Sequence, residues 1–76
     1  MHKRNKWQVA QAWANRRRNP DKRVYAIQYL GWLRFGCGEK DEPQVSNHLP
    51  YMAAQAVRIE LHEITGITSN EVTSRD

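Results

Sequence analysis

The sequence predicts an all-α fold: a small three-helix bundle with a basic N-terminal arm and a flexible C-terminal tail. Three observations predict it. Apolar residues recur at spacings of three and four along most of the chain, the period of helices that bury one face. Apart from Gly31, glycine and proline fall only at Asn19-Pro20, Gly36-Cys37-Gly38, Pro43, Pro50 and Gly66, which cuts the chain into segments of helical length. The 76 residues contain one cysteine but three Trp, three Tyr and one Phe. A single domain of this size cannot form an intrachain disulfide and must draw its core from large aromatic side chains or from a homodimer.

The first helix is expected over residues 6–18. This stretch has no Gly or Pro, is rich in Ala, Gln and Arg, and carries a stripe of Trp7, Ala10, Ala14 and Arg17 flanked by Val9 and Trp13. Asn5 is placed to cap it. The residue before a proline avoids helical angles, so this helix should stop near Arg18. The second helix is expected over 20–35, with Pro20 in its first turn and Asp21 beside its positive N-terminus. Val24, Ile27, Gly31 and Phe35 share one stripe, with Ala26, Leu30 and Leu33 alongside Tyr29. Apolar residues therefore cover much of its circumference, which predicts the central helix, stopped by Gly36.

Glu39 to Pro43 reads as a charged loop. The third helix is expected over 47–65, capped by Ser46 or Asn47 with Pro50 in its first turn, and ended by Gly66. Leu49, Met52, Ala53, Ala56, Val57, Leu61 and Ile64 form its expected apolar face, with Ile59 at the margin. Residues 1–66 thus make one helical domain, and 67–76, mostly polar, a flexible tail.

Charge is divided unevenly. Residues 1–36 hold nine Lys or Arg against Asp21 alone; residues 37–76 hold three against seven acids. The halves carry +8 and −4, which recovers the total of +4. The positive charge gathers at two places: an arm of Lys3, Arg4 and Lys6, and a corner where Arg16, Arg17 and Arg18 close one helix and Lys22 and Arg23 open the next. Clustered cations that displace condensed counterions are what phosphate binding requires, and arginine suits bidentate contacts to phosphate or guanine. These eight residues are the expected binding site for DNA or RNA. The same face also fits an acidic surface of a larger host protein, as in a protein-binding modulator or inhibitor of the kind mobile genetic elements make.

Leu61-His62-Glu63-Ile64-Thr65-Gly66-Ile67-Thr68-Ser69-Asn70-Glu71-Val72 resembles the helix-turn-helix of DNA-binding proteins. Leu61, Gly66, Ile67 and Val72 match that family's apolar and turn positions. The resemblance implies that Thr68, Ser69, Asn70 and Thr73 face a DNA groove. The chain departs from the pattern at His62, where the touching helices usually require alanine, and at Arg75, where a later apolar residue is usual.

Catalysis is not expected. His62-Glu63 begins an H-E-x-x-H zinc motif, but Gly66 stands where the second histidine belongs. His2, His48, His62 and Cys37 follow no metal-ligand spacing. Gly36-Cys37-Gly38 lacks the rest of a nucleotide loop. No cofactor and no metal are expected. A lone cysteine and the want of a long apolar run point to a cytoplasmic protein with no membrane partner.

Overall fold

The computed structural model describes residues 4–36 and 42–73. Lys3, Cys37, the acids Glu39 and Asp41, and Arg75 lie outside them. The described chain is all-α: α1 (Lys6–Asn15), α2 (Pro20–Phe35), α3 (Tyr51–Thr65) and α4 (Ser69–Thr73). The three long helices each pack on the other two, and α4 rests on α2.

α1 starts where a reciprocal capping box forms. The Asn5 side chain accepts from the Gln8 N–H at 2.9 Å, and the Gln8 side chain accepts from the Asn5 N–H at 3.1 Å. Two otherwise unpaired donors are thereby satisfied. α1 ends at Asn15, three residues earlier than expected. Arg16 N–H bonds back to Trp13 O at 3.2 Å, and the Arg17 guanidinium Nε takes the same carbonyl at 3.0 Å. One main-chain and one side-chain donor thus close the last turn, while Asn19, held extended before Pro20, redirects the chain.

Asn19 caps α2 by accepting from the N–H groups of Asp21 and Lys22 at 2.8 and 3.2 Å. Gly36, with φ of 66°, closes it in the left-handed conformation that glycine adopts without strain. The buried face of α2 is Tyr25, Ala26, Tyr29, Leu30, Trp32 and Leu33. The expected stripe of Val24, Ile27 and Phe35 is instead turned outward, with Phe35 74% exposed. A helix with apolar residues all round still buries only the side that meets neighbours, and here the larger aromatics occupy it.

Helix α3 begins at Tyr51, not at residue 47. Pro50 disfavours helical angles at Leu49, so Ser46–Leu49 forms a turn in which Leu49 N–H bonds to Ser46 O at 3.2 Å. Leu49 is thereby buried against the core. The buried face is Ala54, Val57, Leu61 and Thr65. Met52 and Ala56 are exposed, so the apolar face lies about a residue round from the expected one.

The expected flexible tail is ordered through Thr73. Thr65 donates its hydroxyl to Leu61 O at 2.7 Å and accepts from Ile67 N–H at 3.3 Å, which turns the chain back after Gly66. Ile67 and Val72 are both buried in the core cluster. Burying a valine or isoleucine side chain is worth roughly 1.5–3 kcal/mol, enough to hold one short turn of helix in place.

Candidate functional site

Seven of the eight expected binding residues, all but Lys3, are among the described residues, and they fall at opposite ends of α1. At the corner, Arg16 and Arg18 are exposed and Arg17, Lys22 and Arg23 are half-buried. Arg17 lies over Trp13, its guanidinium carbon 4.1 Å from the ring centroid, a favourable cation–π placement. Arg23 reaches across the turn and donates to Arg17 O at 3.0 Å. These two arginines lock the corner through main-chain carbonyls. Among the described residues, none of the five corner cations is paired to a carboxylate; the ion pair present is elsewhere, between Arg58 and Glu42.

At the other end, Arg4 and Lys6 are exposed and precede or open α1, with the Lys6 ammonium 5.2 Å from the Trp7 centroid. The helix keeps arm and corner about 15 Å apart, at 1.5 Å per residue over ten residues. The two groups do not merge; they bracket α1. Between them runs an open groove lined by Arg4, Trp7, Gln8, Gln11 and Asn15 on one side and Arg34 on the other. Arg34 lies 5.8 Å from the Trp7 centroid. It was not among the expected residues. The signal for it lay in the hairpin: antiparallel helices joined at Asn19-Pro20 bring the end of α2 beside the start of α1.

A second polar cluster occupies the opposite side of α2. The Arg58 guanidinium Nε donates to the Tyr25 hydroxyl, its Nη1 to Gln55 at 3.4 Å, and its Nη2 lies 3.8 Å from Glu42. Tyr29 and His62 share a hydrogen bond of 2.8 Å. Burial, with Glu42 nearby, pushes the Tyr29 hydroxyl up to about 12. Burial and the adjacent Arg58 lower the His62 imidazole from its ordinary value. His62, where the helix-turn-helix pattern usually has alanine, is thus half-buried and bonded to Tyr29. Of the positions that pattern would turn to DNA, Thr68 and Asn70 are exposed and Ser69 is half-buried. Residues 59–73 contain no Lys or Arg, so any phosphate-binding charge must come from the N-terminal half.

Among the described residues no three His, Cys, Asp or Glu side chains gather as a metal site, and no helix is long and apolar enough to cross a membrane. No family model, curated protein or solved structure matches this chain.

Proposed function

We propose that this protein is a small non-enzymatic nucleic-acid-binding protein of the cytoplasm with a regulatory role, holding DNA or RNA mainly through phosphates. The observation that carries the reading is the wiring of the corner. Arg17 and Arg23 hold the turn by each donating one N–H to a carbonyl, which anchors them without cancelling their charge. Arg16, Arg18 and Lys22 stand beside them, with Asp21 the one acid between residues 16 and 23. A fixed, uncompensated cluster of this kind raises the local concentration of a polyanion. Arg4 and Lys6 extend the charge to the far end of α1.

An electrophoretic shift titration across a salt series tests this. If five corner cations each neutralise one phosphate, log K falls against log salt with a slope of about −3.5 on a single strand and about −4.5 on a duplex. No binding at low salt, or a flat salt dependence, refutes it.

A protein-binding reading is favoured by one specific observation. Val24, Ile27 and Phe35 are exposed on a single helix, and an apolar strip beside a basic corner suits the acidic face of a larger host protein. Pull-down with and without nuclease separates the readings. One protein retained after nuclease supports the second; loss of every partner supports the first.

A further inference from the structure

The groove along α1 differs in chemistry from the corner at its end. Three of its carboxamide oxygens are already used within the helix: Asn5 Oδ1 by Gln8 N–H, Gln8 Oε1 by Asn5 N–H, and Asn15 Oδ1 by Gln11 Nε2 at 3.3 Å. The NH2 groups of Asn5, Gln8 and Asn15 are left over, beside the guanidinium groups of Arg4 and Arg34. Donors therefore outnumber acceptors. An acceptor-rich ligand fits such a lining: phosphate oxygens, and the carbonyls and ring nitrogens of nucleobases. Trp7, half-buried, adds an indole ring flanked by Lys6 and Arg34.

We propose that this groove binds single-stranded nucleic acid, with unpaired bases against Trp7 and the backbone running on to the Arg16–Arg18 corner. The inference rests on the nucleic-acid reading above and names the form of ligand. Shape favours the single strand. The major groove of a duplex receives a protruding helix, whereas here the donors line a concavity between α1 and the end of α2. Unpaired bases offer a face for stacking that a duplex hides. An unstacked strand advances farther per nucleotide than the ~3.4 Å of a duplex strand, so the roughly 15 Å from Asn5 to Asn15 holds at most about four nucleotides.

The test is fluorescence anisotropy with the full chain and three probes of matched charge: a labelled 12-nucleotide oligothymidylate, a labelled duplex, and polyglutamate as competitor. The expected result is a preference of at least about fivefold for the single strand, with polyglutamate competing weakly. Trp7→Leu should cost the single strand about tenfold, within the range for one lost stacking contact. Because Trp7 also packs on the core, Gln11→Glu and Arg34→Gln on exposed positions are the parallel variants. Each should lower single-strand affinity about five- to tenfold and duplex affinity less than twofold, with helical circular dichroism unchanged. Equal or tighter binding of duplex, equal competition by polyglutamate, or groove variants that leave the single-strand preference intact would overturn the proposal. If Arg16→Gln with Arg18→Gln still weakens every probe in those cases, the nucleic-acid reading survives without the groove. If no nucleic acid binds at all, both fall.

Discussion

Two parts of this molecule hold arginine against the body of the fold, and they treat its charge differently. At the α1–α2 corner, Arg17 and Arg23 donate to the carbonyls of Trp13 and Arg17. Across the bundle, Arg58 donates to Tyr25 and Gln55 and sits beside Glu42. A carbonyl satisfies a donor but leaves the net charge in place, whereas a carboxylate satisfies the donor and cancels the charge. The corner therefore faces solvent with its positive field intact, and the Arg58 cluster is closed on itself. What locates a charged surface is not the number of cations in a segment but the kind of acceptor each has found.

The largest effect should follow from emptying the corner. Replacing Arg16, Arg18 and Lys22 together with glutamine removes three charges that make no side-chain hydrogen bond among the described residues. At 0.1 M salt each lost phosphate contact is worth about fivefold on a single strand, so affinity should fall about 100-fold and the salt slope should flatten by about 2. Stability should move by less than about 0.5 kcal/mol, as for ordinary surface changes. A fall in affinity below threefold would break the comparison, because the charge of the corner would then do nothing that the charge of the cluster does not.

The closed cluster should respond to pH instead. His62 has its folded pKa lowered by burial and by Arg58. Between the ordinary value of 6.5 and that lower value, the unfolded chain binds more protons than the folded one. Stability is then full above pH 6.5 and falls as the pH drops through this window. His62→Gln should flatten that stretch of the stability profile in urea titrations, at a cost of about 0.5–1.5 kcal/mol near neutrality for the bond to Tyr29. Nucleic-acid affinity should be unaffected, since the cluster lies on the other side of α2. An unchanged acid slope in the variant would remove His62 from the account.

The two regions were also unequally legible in the sequence. Bundle, helix order and four of the helix ends could be read directly, because Asn5, Asn19, Gly36 and Gly66 are residues whose chemistry stops or starts helices locally. The corner was legible for the same reason: its charges are consecutive and its turn is marked by Asn19-Pro20. The groove was half legible. Arg34 joins it only through the antiparallel packing of α2 on α1, a contact between residues far apart in sequence. The Tyr25–Tyr29–Arg58–His62–Glu42 cluster could not be read at all, since its members come from two helices and a loop. The outward turn of Val24, Ile27 and Phe35 was missed because periodicity marks which residues share a face, not which face meets the core. The order of α4 was missed because Ile67 and Val72 look isolated until the chain folds back at Gly66.

Gly31 supplies the smallest and most discriminating change, since its effect should have the opposite sign to the others. It sits in the interior of α2, where glycine costs roughly 0.5–1 kcal/mol relative to alanine. Packing does not demand it: a methyl group built there meets nothing within 4 Å. It lies instead on the apolar end of the groove, beside Trp7, Ile27 and Arg34. Gly31→Ala should therefore raise stability by about 0.5–1 kcal/mol, a gain of roughly 2–8 °C in thermal midpoint for a domain of this size, measured by circular dichroism melting. If the alanine also lowers single-strand affinity, open space at this end of α1 serves binding at the expense of stability. If it stabilises and leaves affinity untouched, the ligand contacts end nearer to Arg4 and Gln8. A loss of stability would mean that the backbone of α2 needs glycine there, and that the groove is set by the fold alone.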